Sequence, residues 1–250
     1  MRVSVETSVA RHTGDRKEQQ DRVVVLTHPS HPGALLVALA DGMGGHSGGA
    51  MAAEQVVMAA QQNFDSFTPA TEQPEQLLDA VIRDAHSSIR LSRFTSEQDP
   101  HSTVVVFMLY RGKAYWAHCG DSRLYHFHGA DLAARTQDHS LVGELQRRGK
   151  LSEEEALSHP QRNVLVACLG SDRFPKVEHG GCGVLSANDR FLICSDGLWS
   201  YFSNGELSTI LAGYSANDAA QHLLDQTRER ADGNGDNISL AIIRFVATPA

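Results

Sequence analysis

Positive charge is in short supply in this 250-residue chain: 22 Lys and Arg stand against 30 Asp and Glu, a net charge of −8. So acidic a chain has no basic footprint for nucleic acid, which argues against a metal-dependent nuclease. It also lacks any apolar run near the roughly 20 residues of a membrane helix. Met1-Arg2-Val3-Ser4-Val5-Glu6 carries no signal-peptide core, so a cytoplasmic protein is expected. Cysteine is scarce. Cys119, Cys168, Cys182 and Cys194 lack metal-ligand spacing and read as reduced packing residues. Repeats, low-complexity tracts and linkers are missing too, so a single domain over residues 1–250 is expected. What is present in quantity is apolar: 41% of residues, enough for a sizeable core.

The apolar residues are arranged in two rhythms. Val3, Val5 and Thr7 alternate with polar residues, a strand signal, and Val23–Thr27 and Ala34–Ala40 read as strands around a His28–Gly33 turn. Two helices should follow, one with Ala50, Ala53, Val57 and Ala60 on a face, the next with Leu78, Ile82, Ala85 and Ile89. Ser102–Tyr110, Lys113–Cys119 and Ser122–His128 read as a meander of hairpins, turning at Arg111-Gly112 and Gly120-Asp121. Asp138–Leu157 is charged and partly helical, with a stop at Gly149. Strands return at Lys176–Leu185 and Arg190–Cys194. Helices start near Asn204 and Ser215, the second with Ala219, Leu223 and Thr227 on one face. A last strand runs from Ile238 to Val246. Paired helices between runs of tightly turned strands predict an α+β fold with antiparallel sheets, not a doubly wound one.

Three aspartates sit where apolar runs begin or end. Asp41-Gly42 follows Ala34–Ala40, Asp196-Gly197 follows Arg190–Ser195, and Asp236-Asn237 opens Ile238–Val246. Each alone also fits an ordinary turn. Together they suggest one carboxylate cluster, because an Asp at the mouth of a buried strand is costly unless a cation meets it. An all-oxygen donor set without Cys or His favours hard cations over zinc. Two carboxylates about 4 Å apart repel by roughly 4 kcal/mol at an effective dielectric near 20. Without divalent ions the site should therefore be loosened or partly protonated.

The motifs come in a recognisable order. Arg16-Lys17-Glu18-Gln19-Gln20-Asp21, Asp41-Gly42-Met43-Gly44-Gly45, Ser102-Thr103 and Gly120-Asp121-Ser122-Arg123 lead. Asp138-His139-Ser140-Leu141-Val142, His159-Pro160-Gln161-Arg162-Asn163, Ser195-Asp196-Gly197-Leu198-Trp199 and Gly235-Asp236-Asn237 follow. The chain thus resembles, over nearly its whole length, the metal-dependent serine/threonine protein phosphatases of the type 2C (PPM) family in their bacterial form. The resemblance implies a four-layer α-β-β-α sandwich, two antiparallel sheets face to face with helix pairs outside, and a flap at about residues 143–170. It implies two core Mn²⁺ or Mg²⁺ ions, with Asp41 bridging both, the Gly42 carbonyl on one, and Asp196 and Asp236 on the other. Asp21 contacts a metal-held water, and Asp121 with Asp196 matches the ligands of a third ion. The implied reaction is hydrolysis of phosphoserine or phosphothreonine by a bridging hydroxide, without a phosphoenzyme, with Arg16 clamping the phosphate. Implied partners are phosphorylated proteins, a Ser/Thr kinase and its substrates, met by a monomer without nucleic-acid or membrane partners.

Several positions depart from the family pattern. Gln19-Gln20 replaces the usual Asn-Glu and removes a carboxylate beside Asp21. Met43 stands where some relatives carry a His taken as the general acid. His46 is a nearby substitute but reads better as a helix-entry residue, leaving metal-held water as the preferred proton donor. Arg147-Arg148 and Arg162 are candidates for guiding phosphopeptides, though Arg147-Arg148 also fits a solvated helix face. A non-catalytic scaffold that binds a kinase or phosphoprotein is the rival reading; retention of Asp41, Asp196 and Asp236 argues against it.

Overall fold

The computed structural model describes residues 2–94 and 98–248. The chain begins with strands β1 (Arg2–His12), β2 (Arg22–Thr27), β3 (Leu35–Ala40) and β4 (Gly42–Met43), then helices α1 (His46–Ser66) and α2 (Pro74–Ser92). Next come β5 (His101–Ser102), β6 (Val104–Tyr110), β7 (Lys113–Cys119), β8 (Arg123–His128) and β9 (Asp131–Arg135), with α3 (Leu141–Arg147) and α4 (Glu153–Ser158). β10 (Glu178–Cys182), β11 (Asp189–Cys194), α5 (Asp196–Trp199), α6 (Asn204–Gly213), α7 (Ala216–Ala231) and β12 (Ile238–Thr248) complete the order.

Ten strands form two antiparallel sheets, ordered β1-β12-β11-β8-β9 and β10-β7-β6-β3-β2. Side-chain alternation explains how they stack. Leu35, Val37 and Leu39 of β3 join Phe107, Phe191 and Ile243 in the layer between the sheets. Leu36, Ala38 and Ala40 pack the opposite way, with Val56 and Phe64 of α1 and Leu78 and Ile82 of α2. In the other sheet, Phe191 and Ile193 point inward, while Leu192 and Cys194 pack with Leu207 and Leu211 of α6 and Leu223 of α7. With both faces covered, β3 reads as a continuous apolar run instead of an alternating one. The result is the expected α+β, four-layer α-β-β-α sandwich. All four cysteines are free thiols, and among the described residues no helix is long and apolar enough to cross a membrane.

Most expected elements appear where the pattern placed them. Ser203 and Ser215 cap α6 and α7, accepting from the backbone N–H of Glu206 and Asp218. The face of α1 is rotated from expectation: Ala53 and Ala60 are buried, but Ala52, Val56 and Ala59 complete the stripe while Ala50 and Val57 are only half-buried. Alanines on several sides of that helix leave its apolar face poorly defined by spacing.

The meander through β6, β7 and β8 is a correction. β6 and β7 do form a hairpin, through Arg111 and Gly112 at φ 50° and 71°. β8, however, lies in the opposite sheet and pairs with β9 and β11. Gly120, at φ 111°, turns the chain from one sheet to the other. A short connection looks the same in sequence whether it closes a hairpin or crosses a sandwich. The partner of β8 is decided by β11, some sixty residues away. β9 was not expected at all; its Asp131–Arg135 run is short, mixed and exposed at a sheet edge.

Candidate active site

One end of the sandwich collects the motif aspartates. Asp21 immediately precedes β2 and Asp41 immediately follows β3; the strands are antiparallel with Arg22 opposite Ala40, so both carboxylates leave the same end. Asp196 lies just past β11 and Asp236 just before β12, whose register sets Cys194 opposite Leu240. Asp121 arrives through the β7–β8 crossover. Asp41, Asp121, Asp196 and Asp236, with Arg16 and Gly42, line a cleft of about 500 Å³. Asp21 lies beneath it, 1% exposed.

Hydrogen bonds hold these segments in place. Thr103 Oγ1 accepts from the Asp41 N–H at 3.0 Å and pairs with Ser122 Oγ at 2.7 Å. The Thr103 N–H and Ser102 Oγ both donate to the Asp41 carbonyl. Ser195 Oγ donates to Asp21 Oδ2 at 2.7 Å and accepts from the Ser239 N–H. Asn237 fastens the first motif to the last: its Oδ1 accepts from the Gln20 N–H, and its Nδ2 donates to the Thr13 and Glu18 carbonyls. Gln19 Oε1 accepts from the Asp21 N–H, so the glutamine at this departure point braces the aspartate's backbone. Trp199 Nε1 donates to the Asp121 carbonyl at 2.9 Å, under an Arg123 guanidinium that is bidentate to Asp138.

Two glycines permit the close approach. A Cβ on Gly42 would sit 1.9 Å from the Gly49 carbonyl oxygen, and one on Gly197 would sit 2.0 Å from that of Asn237. Neither oxygen belongs to a flexible side chain, so no rotamer change relieves the clash.

The electrostatics are those of too many carboxylates. Burial, then the charges of Asp21, Asp196, Asp121 and Asp236, push Asp41 well above the carboxylate range. Asp121 is raised in the same way by burial, then by Asp196 and Asp138. Burial lifts Asp21 to about 7 despite the Ser195 hydrogen bond, with Asp196 adding to it. Asp196 rises to about 6 through burial and Asp236. Among the described residues, no three of these carboxylates have ligand oxygens mutually within 4.8 Å. Burial and mutual repulsion thus favour protonation of this donor set. Hard divalent ions fit it: they satisfy the carboxylates and remove the repulsion.

Arg16 reaches the cluster, donating to Asp236 Oδ2 at 2.6 Å from a largely exposed side chain. Arg162 lines a narrower cavity of about 150 Å³ that also touches Arg16, Asp121, Asp196 and Asp236. Arg147 donates to the Asp138 carbonyl and Arg148 pairs with Glu144, the solvated-face alternative for that pair. The His46 side chain lies outside the described residues. The supporting roles of Thr103, Ser122, Ser195, Asn237 and Trp199 were missed. All five stand inside the motifs, and that membership was the only signal the sequence offered.

The fold and cleft define a metal-dependent phosphatase sandwich, and similarity to known proteins agrees. The family model for protein phosphatase 2C matches residues 10–232. A putative 2C-type protein phosphatase of Streptococcus pyogenes is 33% identical over 246 residues, 97% of both chains. The serine/threonine phosphatase stp of Listeria welshimeri is 33% identical over 215 residues, 83% of both chains. The solved S. agalactiae serine/threonine phosphatase superposes with a TM-score of 0.85 at 27% identity, covering 98% of this chain and 100% of that one. This chain belongs to the protein phosphatase 2C family of protein serine/threonine phosphatases.

Proposed function

We propose that this protein removes phosphate from phosphoserine and phosphothreonine in proteins, using two Mn²⁺ or Mg²⁺ ions held by Asp41, Asp196, Asp236 and the Gly42 carbonyl. The observation that carries this reading is the convergence of five aspartates from five separate segments, four of them with strongly raised pKa values. A cluster so unfavourable to assemble suits a site completed by cations. Divalent ions there supply a nucleophilic hydroxide near neutral pH and neutralise charge on the phosphoryl oxygens.

The chain's own residues have distinct tasks. Asp21, held by Ser195, would accept a hydrogen bond from a metal-held water. Arg16, now paired with Asp236, would offer its planar donor fork to the phosphate once Asp236 served as a metal ligand. Asp121, shared with Asp196, holds a third, weaker ion. Residues 143–170 act as a flap whose Arg162 faces incoming phosphopeptide. The substrates are the phosphoproteins of a bacterial Ser/Thr kinase, met by a monomer in the cytoplasm, a compartment that suits four free thiols.

The test is hydrolysis of a phosphothreonine peptide with and without Mn²⁺ or Mg²⁺. Turnover is expected only with metal, and Asp41→Ala or Asp236→Ala should lower it by at least ~100-fold. Undiminished turnover after chelation rules the reading out.

A further inference from the structure

Behind the turn that carries Asp121, three side chains unrelated to the aspartate cluster come together. His118 is in β7, Glu178 is opposite it in β10, and His139 precedes α3. The two histidines are 3% and 2% exposed, and their rings stack with centroids 4.7 Å apart. His118 Nδ1 and His139 Nε2 are buried without a hydrogen-bond partner. One ring nitrogen from each histidine and a Glu178 carboxylate oxygen lie mutually within 4.8 Å, and His139 Nε2 is 3.5 Å from Glu178 Oε1. Leaving a buried polar atom unpaired is unfavourable. Two of them facing one carboxylate is more than aromatic packing requires.

We propose that His118, His139 and Glu178 bind a zinc-type divalent transition ion, at a site separate from the aspartate cluster. Two imidazoles and one carboxylate with a position left open is a zinc donor set, whereas the all-oxygen cluster prefers Mg²⁺ or Mn²⁺. His118 Nε2 lies 2.9 Å from the Gln137 carbonyl, which can only accept. The ring proton is therefore on Nε2, and the Nδ1 lone pair points at the site, as in histidines held for metal by a backbone carbonyl. Burial lowers His118, and burial with His118 lowers His139 to about 4, which favours the neutral rings that bind metal. No ring proton has to leave an imidazolium before metal binds. A cavity of about 560 Å³, lined by Arg147, Cys168, Phe174 and Lys176, reaches His139 from outside.

Two contacts must yield. Lys176 Nζ holds Glu178 Oε1 at 2.6 Å, but its side chain is 72% exposed and can swing into water. The Gly120 N–H donates to His139 Nδ1 at a long 3.3 Å, which places that ring's proton on Nε2. An ion at Nε2 moves the proton to Nδ1, where it opposes the Gly120 N–H. Occupation thus presses on the turn leading into Asp121.

The experiment is a Co²⁺ titration of the full chain in excess Mg²⁺, which fills the oxygen site, followed by visible d–d absorption and Zn²⁺ displacement. The expected result is one equivalent of tetrahedral-type Co²⁺, displaced by Zn²⁺ and weakened by at least ~100-fold in both His118→Asn and Glu178→Gln. Glu178→Gln replaces a partly exposed side chain by its isostere, so it keeps the test decisive if His118→Asn fails to fold. Absence of the tetrahedral spectrum, or an unchanged spectrum and affinity in Glu178→Gln, overturns the assignment.

Discussion

Metal-free protein should lose stability as pH rises through neutrality, against the usual behaviour of paired carboxylates. In the folded chain burial pushes Asp21 up to about 7, and Asp41 and Asp121 lie well above the ordinary carboxylate range. Unfolded, all three ionise near pH 4. The folded state therefore binds more protons above that pH, and its stability is lost as pH climbs through the folded pKa values. His118 and His139 act in the opposite direction, because their pKa values are lowered. Their effect ends once unfolded histidine has deprotonated, so the window is about pH 7 to 8.5, its upper end shared with the four thiols, whose raised pKa values act in the same direction as the carboxylates. There the folded chain holds more protons than the unfolded one, and each extra proton costs about 1.4 kcal/mol of stability per pH unit. For a domain of this size each such proton lowers Tm by about 3–5 °C per unit. The assay is a set of thermal melts in chelator from pH 7 to 8.5, repeated in excess Mn²⁺. Metal should flatten or reverse the slope, since ions replace the protons and bind more tightly as pH rises. Asp21→Asn should reduce the slope in chelator. A metal-free Tm that stays level or climbs across this window refutes the reasoning, because the carboxylates would then not be holding protons.

Three further outcomes are expected. Arg16→Ala should raise KM for phosphopeptide while leaving metal binding intact, measured by calorimetry beside steady-state kinetics; an equal loss of metal affinity makes Arg16 a structural partner of Asp236. Asp121→Ala should leave two core ions bound but require more metal for full turnover, and an unchanged metal titration returns Asp121 to a turn residue. Gly197→Ala puts a methyl 2.0 Å from the Asn237 carbonyl oxygen, so Tm should fall by several degrees or more, as for other strained backbone substitutions; a wild-type melt shows that the α5 turn can move aside.

Residue pattern alone determined much of this protein. Period two gave β1, apolar runs gave β3, β6 and β12, period 3.6 gave α2 and α7, and Asn204 and Ser215 marked the starts of α6 and α7, because each of these rests on contacts within a few residues. Asp41, Asp196 and Asp236 also stood out locally, since a charge at the mouth of an apolar strand demands an explanation wherever the strand goes. Tertiary structure decided what depended on distant partners. It sent β8 across to β11 instead of back to β7, brought Ser195 to Asp21 across 174 residues and tied Asn237 to Glu18 across 219. It also set His118 beside His139 and Glu178. None of these pairings leaves a periodic trace, because strand partnership and side-chain convergence are settled by burial summed over the whole sandwich, and neighbouring residues carry no record of that sum.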